Sequence, residues 1–232
     1  MTPAKPRSSF YFGMRAMLPI TTGVLPFGAV MGTVSSEAGL SLFQAATMNL
    51  IVYAGAAQLA AVDLMSKHAA SIVVIATGLV INLRFLLYSA AMSPVVQNSS
   101  LLVKLTCAHT LTDQSYTTMT ANSDRLPTTK DQIQFYFGAS LIMFIAWQAS
   151  VIAGFIFGNF APAAWALDFA VPLSFVALLI PTLKNKTYVI VAAFSAVCSV
   201  VLNPLPYRLG LLATAALAIG LSAILTRKRV TL

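Results

Sequence analysis

The sequence has very little charge for its length. Charged residues make up 9% of the 232 residues, whereas 58% are hydrophobic. A soluble domain typically has about 25% charged residues, so this chain cannot cover its surface with solvated side chains. The lack of charge excludes an ordinary soluble domain and predicts a protein that is embedded in a lipid bilayer.

Cysteine and histidine are also scarce. The two cysteines, Cys107 and Cys198, lie in apolar runs without CxxC or Cys/His spacing, which is typical of buried free thiols. The two histidines, His68 and His109, are too few for a conventional zinc site. The chain also lacks a G-x-S-x-G nucleophile elbow and a P-loop. We therefore expect no metal, no cofactor and no enzymatic activity.

Acidic residues are outnumbered by basic ones. The chain has 14 Lys and Arg against 6 Asp and Glu, which gives a net charge of +8. In a soluble protein this excess would suggest nucleic-acid binding. Here the basic residues cluster in the tails and a few short loops, which indicates contact with the cytoplasm and with anionic lipid headgroups. We expect no nucleic-acid partner.

Eight apolar runs, most of them near the 20 or so residues that cross a bilayer, divide the chain. Because no alternating ten-residue pattern suggests a barrel, we predict an all-α polytopic transmembrane helical bundle. It would form a single domain over residues 1–232, with a membrane bundle at 14–226 and cytoplasmic tails at 1–13 and 227–232. The runs cover about Met14–Val34, Ser41–Met65, Ala70–Met92, Leu101–Ala121, Ile133–Phe157, Trp165–Leu183, Tyr188–Leu202 and Tyr207–Thr226.

The fourth run is the most polar, and the distribution of basic residues decides whether it crosses. If it crosses, both termini and most basic residues lie on one side, as the positive-inside rule requires. If it does not, the Lys184/Lys186 loop and the Arg227–Arg229 tail move to the outside. We therefore predict that it crosses, that both termini are cytoplasmic, and that its polar side faces helices or water. The residues gathered on the cytoplasmic side are Lys5, Arg7, Arg15, Lys67, Arg125, Lys130, Lys184, Lys186, Arg227, Lys228 and Arg229.

Proline and glycine are concentrated in the first run, at Pro19, Gly23, Pro26, Gly28 and Gly32. Proline removes a backbone donor, so this spacing predicts a kinked or broken helix near the midplane. A break would expose backbone groups of the kind that transporters use to bind carboxylates and cations. The alternative is a bent packing helix whose Gly28-x-x-x-Gly32 face contacts a neighbour closely.

The second run contains Tyr53-Ala-Gly55-Ala-Ala-Gln58, in which small residues permit either close helix packing or an unwound stretch. Gln58 is a polar amide deep in an apolar run. It is either a substrate ligand or one half of a helix–helix hydrogen bond. Asp63 precedes Lys67 by four residues, which favours an ion pair at the cytoplasmic end of the helix.

The third run contains Asn82-Leu-Arg84, and an arginine at this depth costs at least about 2.5 kcal/mol unless it is paired or hydrated. Asp113 lies at a similar depth in the fourth run, which runs in the opposite direction. We therefore predict an Arg84–Asp113 pair, direct or through water. Such a pair is either structural only or part of a binding site.

Helix-start signals mark three positions. Ser41 and Gln44 have the spacing of a capping box before the second run. Asp131 stands where the N-cap of the fifth run is expected. Asp168 opens the sixth run, four residues before Pro172, and is either a helix cap on the outer side or a gate residue near the outer mouth.

Several of these motifs occur together, in this order, in one known family. The chain resembles the AzlC family, the large subunits of bacterial branched-chain amino acid exporters. The family often has Glu at the position of Gln114 and His at that of Phe85. The matching stretches are Leu25-Pro-Phe-Gly28, Tyr53-Ala-Gly-Ala-Ala-Gln58, Asn82-Leu-Arg-Phe-Leu-Leu-Tyr-Ser-Ala90, Thr112-Asp-Gln-Ser-Tyr116 and Leu167-Asp-Phe-Ala-Val-Pro172.

The resemblance implies export of leucine, isoleucine, valine and sometimes methionine from the bacterial inner membrane, with a small hydrophobic partner subunit of the AzlD type. Because the chain has no nucleotide-binding motif, we expect alternating access driven by an ion gradient, with Asp113 as a proton carrier. Two other classes stay open: a non-transporting membrane scaffold, and a channel for a small neutral solute. The candidate substrate-binding residues are Gly23, Pro26, Gly28, Tyr53, Gly55, Gln58, Asn82, Arg84 and Asp113, and the candidate gate is Asp168.

Overall fold

The computed structural model describes residues 8–158, 183, 186–204 and 209–230. The predicted sixth run and Asp168 lie outside these residues, apart from residue 183. The chain forms two compact units, Met1–Val171 and Pro172–Leu232, and each is described by itself.

All regular structure in the described part of the chain is helical, which confirms the all-α prediction. The predicted second, third and fourth runs are each split into two shorter helices. The described residues form ten α-helices: α1 Ser9–Glu37, α2 Leu42–Val52, α3 Gly55–Ser66, α4 Ser71–Asn82, α5 Arg84–Val96, α6 Leu101–His109, α7 Asp113–Ala121, α8 Thr129–Phe157, α9 Lys186–Val201 and α10 Leu209–Val230, with a 3-10 turn at Ser123–Arg125.

The first unit exposes apolar side chains and buries polar ones, as a helical membrane protein does. Large apolar side chains such as Leu79 and Leu87 point outward, whereas the amides of Asn49 and Gln58 are fully buried. Within the described ranges, α1 and α8 are each long and apolar enough to cross a bilayer, and α4 with α5 form a third candidate span if the bent pair is counted as one.

Helices α1 and α8 pack along most of their lengths, and glycines make the close approach possible. A Cβ atom on Gly138 would overlap the Phe10 carbonyl oxygen, and one on Gly154 would overlap that of Ala29. The Thr33 hydroxyl donates to the Gly154 carbonyl oxygen at 3.1 Å. The two helices therefore form a tightly joined pair against which α2, α3, α5 and α7 pack.

The broken helix predicted for the first run is wrong, whereas the kink stays a prediction. Helix α1 continues through Pro19 and Pro26, although a proline inside a helix costs about 3 kcal/mol. The long contact with α8 offsets this cost, and Gly28 and Gly32 both lie in that contact. The alternative interpretation, a close-contact face at Gly28-x-x-x-Gly32, is confirmed.

Two of the helix-start predictions can be compared with the structure. Ser41 and Gln44 form the predicted capping box at the start of α2. The prediction for Asp131 is wrong, because Thr128 is the N-cap of α8 and accepts from the Asp131 backbone amide. The buried Asp131 carboxylate instead accepts hydrogen bonds from the hydroxyls of Thr128 at 2.7 Å and Ser9 at 2.9 Å, which ties the start of α8 to the start of α1.

The second unit contains α9 and α10, which pack against each other. Gly210 lies close to the Leu202 carbonyl, so a side chain at position 210 would collide with the end of α9. Both helices expose apolar side chains, among them Val197 and Ile219, as expected for surfaces that face lipid.

Candidate functional site

Three helix breaks interrupt the apolar runs in residues 8–158, the described part of the first unit. Between α2 and α3 the chain unwinds at Tyr53 and Ala54, where Tyr53 has a left-handed backbone conformation with φ 38°. Helices α4 and α5 meet at Leu83 and are bent by 41°. Helices α6 and α7 are separated by residues 110–112. Each break ends the regular backbone hydrogen bonding, so polar groups become available within an apolar segment.

Arg84 and Asp113 form the predicted pair at two of these breaks. The Arg84 Nη1 atom lies 2.6 Å from Asp113 Oδ2, and the two side chains are 34% and 37% exposed. Arg84 is the first residue of α5, and Asp113 is the first residue of α7. The positive end of the α7 dipole stabilises the carboxylate. The α5 dipole opposes the guanidinium, so Arg84 depends on its partner.

The pair leaves binding capacity unused. Arg84 Nε, a donor, and Asp113 Oδ1, an acceptor, are both buried and have no hydrogen-bond partner, and the same is true of Asn82 Oδ1 at the end of α4. Buried polar atoms are nearly always hydrogen-bonded. A donor and two acceptors next to an ion pair therefore mark a place where a ligand with both charges could bind.

Aromatic rings border the pair. The Tyr88 and Tyr116 rings stack with centroids 4.7 Å apart, one turn beyond Arg84 and Asp113 respectively. The Arg84 guanidinium lies 5.1 Å from the centroid of the Phe85 ring, which gives its charge a second favourable contact. The pair is thus bordered on α5 and α7 by rings that limit its contact with water.

Helix α8 supports the break between α6 and α7. Helix α6 ends at His109, and the Leu111 amide donates to the carbonyl oxygen of Ala108 rather than to that of Cys107. The hydroxyl of Tyr136 donates to the Cys107 carbonyl oxygen at 2.8 Å. On the other side of the break, Thr112 and Ser115 form a capping box that starts α7. These contacts fix the position of Asp113, the next residue after Thr112.

A buried amide cluster lies beside the break between α2 and α3. Asn49 Oδ1 accepts from the Trp147 indole at 2.5 Å and from the Gln58 amide at 3.1 Å. Asn49 Nδ2 donates to Gln148 Oε1 at 2.5 Å. The interpretation of Gln58 as half of a helix–helix hydrogen bond is therefore confirmed, but its Oε1 atom is buried without a partner. We call Asn49, Gln58, Trp147 and Gln148 the amide cluster.

Sequence reasoning missed three members of this cluster. Asn49, Trp147 and Gln148 are polar or amphipathic residues in apolar runs, which is the only signal the sequence offered for them. Asn49 and Trp147 are 98 positions apart, and no local pattern connects them.

Tyr53 connects two of the breaks. Its ring stacks on that of His109, at the end of α6, with centroids 6.1 Å apart, and lies 5.2 Å from that of Phe144 on α8. Gly55 is also tightly placed, since a Cβ atom there would contact the Trp147 and Phe27 rings at less than 3 Å. The α2–α3 and α6–α7 breaks are therefore neighbours.

The site residues predicted on α1 are Gly23, Pro26 and Gly28. Gly28 is packed against Ser150 and Trp147 of α8. Gly23 and Pro26 are exposed, and open space surrounds the position of a Cβ atom on Gly23. The described contacts do not join these two residues to the Arg84–Asp113 pair. A role for them in substrate binding stays a prediction.

A cavity of about 360 Å³ lies between α5 and α6. Its lining is mainly apolar and includes Met92, Cys107 and Leu111, with Lys104 and Gln97 as polar contributions. Leu111 is two residues before Asp113. The cavity is thus suited to an apolar group and shares the α6–α7 break with the ion pair.

Comparison with known proteins finds one matching family. Residues 19–161 match the family model described as AzlC protein, a stretch that includes all three breaks. An uncharacterized membrane protein of Helicobacter pylori strain J99 is 25% identical over 171 residues, covering 73% of this chain and 74% of that protein. Another from Archaeoglobus fulgidus is 27% identical over 181 residues, covering 76% and 77%. No solved structure matches.

Proposed function

The chain belongs to the AzlC family, a family of membrane transporters and not of enzymes, and we propose that it exports branched-chain amino acids. The proposed substrates are leucine, isoleucine and valine, with methionine as a further candidate. The proposed location is the bacterial inner membrane, and the proposed mechanism is alternating access.

The observation that carries this proposal is the set of three buried polar atoms without hydrogen-bond partners at the Arg84–Asp113 contact. A free amino acid has a carboxylate, which needs donors, and an ammonium group, which needs acceptors. Arg84 Nε is a buried donor without a partner, and Asp113 Oδ1 and Asn82 Oδ1 are buried acceptors without partners. Both ends of a zwitterion thus find a complementary group in one place. An apolar side chain fits the nearby cavity between α5 and α6.

Eight crossings are part of the proposal. The α2–α3, α4–α5 and α6–α7 pairs each correspond to one apolar run of the sequence, and each pair would cross as a broken helix. Broken membrane helices are tolerated where the interruption is buried in protein or lines a cavity. With eight crossings both termini are cytoplasmic, and Arg84 and Asp113 lie near the middle of the membrane.

Energy coupling follows from the same pair. Asp113 is the proposed proton carrier, and it is also the ion-pair partner of the Arg84 guanidinium. The two roles are compatible if the proton and the substrate bind in turn. A proton on Asp113 removes the negative charge that attracts the substrate ammonium group, so the protonated site would release the amino acid. Exchange of an exported amino acid for an entering proton requires this alternation.

The proposed partner is a small hydrophobic subunit of the AzlD type. It rests on the family membership alone. The transport experiment that follows is therefore run both with and without such a subunit.

The test is leucine counterflow in proteoliposomes that are preloaded with unlabelled leucine. A transporter accumulates external labelled leucine transiently above equilibrium, a channel only equilibrates it, and a non-transporting scaffold does neither. We expect accumulation that is saturable and inhibited by isoleucine and valine. Equilibration without overshoot would instead establish the channel, and no movement in the presence of the small subunit would establish the scaffold.

A matched control separates the site from general charge effects. Asp63 forms an exposed i,i+4 ion pair with Lys67 at 2.5 Å, as the sequence predicted. The Asp63→Asn variant removes a carboxylate from an ion pair, as Asp113→Asn does, but at the end of α3. We expect counterflow with unchanged affinity at Asp63→Asn and with reduced affinity for leucine at Asp113→Asn.

A further inference from the structure

In the amide cluster, Trp147 sets which end of the Asn49 amide is the oxygen and which is the NH₂ group. An indole N–H only donates, so the atom of Asn49 that faces Trp147 must be its oxygen. The other end of the Asn49 amide is then the NH₂ group, which donates to Gln148. Gln148 in turn donates to the Asn49 backbone carbonyl at 3.4 Å. The Trp147 indole at 2.5 Å, supported by the weaker contact with the Asn49 backbone carbonyl, therefore determines the orientation of the Asn49 and Gln148 amides.

The same logic extends to Gln58. Because Asn49 presents its oxygen, Gln58 must present its NH₂ group to it, as observed at 3.1 Å. The Gln58 carbonyl oxygen is then directed away from Asn49. Gln58 is 1% exposed, and this oxygen has no hydrogen-bond partner. It is a buried acceptor beside the α2–α3 break whose identity as an oxygen, rather than a nitrogen, is set by Trp147.

The cluster is also held firmly in place. Trp147 is 3% exposed and Asn49 is completely buried. The indole contacts the Phe27 ring with centroids 5.5 Å apart, and its edge fills the space beside Gly55. Neither Trp147 nor Asn49 can turn without disturbing α1 or α3. Rigid support of this kind is what an orienting hydrogen bond requires.

We infer that Trp147 and Asn49 are positioning residues that hold the Gln58 amide with its oxygen available to accept a hydrogen bond from the ammonium group of the transported amino acid. The inference rests on the proposed function. It adds an acceptor on α3 to those that Asp113 and Asn82 offer at the ion pair. It also gives a role to Asn49 and Trp147, neither of which contacts the substrate.

The test measures recognition of the ammonium group. Inhibition of leucine counterflow is compared for unlabelled leucine and for 4-methylpentanoate, which has the same carbon skeleton without the amino group. The ratio of the two inhibition constants is the ammonium preference. Gln58→Met should lower this preference by about tenfold, the effect of one hydrogen bond to a charged group. Trp147→Phe should lower the ammonium preference by a similar factor, because the amides of Asn49 and Gln58 can then flip.

A rescue separates orientation from packing. In Asn49→Asp the side chain has no NH₂ group, so Gln58 must keep its NH₂ towards position 49 whether or not an indole is present. Trp147→Phe combined with Asn49→Asp should therefore recover the preference to within about threefold of the unaltered protein. The matched triple variant, which adds Gln58→Met, should not, because the recovery must pass through the Gln58 oxygen rather than through the new charge at position 49.

Three results would overturn the inference. Trp147→Phe could weaken leucine and 4-methylpentanoate equally, which is a packing effect. Gln58→Met could leave the preference unchanged, which means that its oxygen does not face the ammonium. The Asn49→Asp rescue could also fail.

A chain that shows no leucine counterflow at all would refute the proposed function, and the unaltered protein reveals this before any variant is compared. Thermal unfolding in detergent then still tests the hydrogen bond between Trp147 and the side chain at position 49. Trp147→Phe should lower the melting temperature more in the Asn49→Asp background than in the unaltered chain, because the indole there donates to a charged oxygen. An equal loss in both backgrounds would overturn it.

Discussion

Tyr136 and Trp147 lie on one face of α8, eleven residues or roughly three helical turns apart. Each donates a hydrogen bond at a different break, Tyr136 to the Cys107 carbonyl and Trp147 to the Asn49 side chain. The same helix is joined to α1 through glycines. Helix α8 is therefore the common support of two interruptions that a membrane helix could not tolerate alone.

The first prediction concerns Tyr136→Phe. The variant keeps the ring but removes the hydroxyl, so the Cys107 carbonyl oxygen loses its donor in a buried place. We expect a loss of about 1–3 kcal/mol in unfolding free energy, measured by thermal or chemical unfolding in detergent. Tyr11→Phe, at a 58% exposed side chain, is the control and should change stability little. Equal effects at both positions would mean that the Tyr136 hydroxyl does not support the break.

The second prediction concerns the contact between α1 and α8. Gly154→Ala places a Cβ atom against the backbone of Ala29, which cannot move without separating the two helices. We expect destabilisation by about 1–3 kcal/mol. Gly78→Ala is the control, since Gly78 lies in α4 with open space around it and alanine favours a helix there. Unfolding followed by circular dichroism should therefore rank the two variants in opposite directions. A stabilising Gly154→Ala would contradict the close packing.

Two contacts between residues that are close in the sequence were predicted correctly. The capping box at Ser41 and Gln44 needs only residues three apart, and the Asp63–Lys67 pair only residues four apart. The Arg84–Asp113 contact is long-range, yet it was predictable because an unpaired charge inside an apolar run is costly and the sequence offered one partner at that depth.

The errors arose where a distant contact overrides a local preference. Pro19 and Pro26 predict a break, but the packing of α1 on α8 keeps the helix whole. Asp131 is a good N-cap residue, but Thr128 occupies the cap and Ser9 engages the carboxylate. Trp147 and Asn49 meet only because α8 returns to the end of α2, which no pattern of spacing predicts.

The third prediction concerns the Arg84–Asp113 pair itself. Removing either partner leaves the other charge uncompensated at a half-buried position, so Arg84→Ala and Asp113→Ala should each reduce counterflow at least about tenfold. The exchanged double variant, Arg84→Asp with Asp113→Arg, restores opposite charges at the starts of α5 and α7. We expect it to regain part of the lost activity. Losses that simply multiply in the double variant would argue that the two side chains act independently.

The fourth prediction separates proton coupling from substrate binding. Asp113→Asn keeps the size of the side chain and an acceptor oxygen, but it cannot carry a proton at neutral pH. Counterflow involves no net proton movement and should survive with reduced affinity. Uptake into inverted vesicles that is driven by a pH gradient should be lost, because no group would then couple the proton to the substrate. Asp63→Asn, at the exposed pair with Lys67, should leave both activities unchanged. Gradient-driven uptake that persists in Asp113→Asn would rule out this carboxylate as the carrier while leaving the binding site intact.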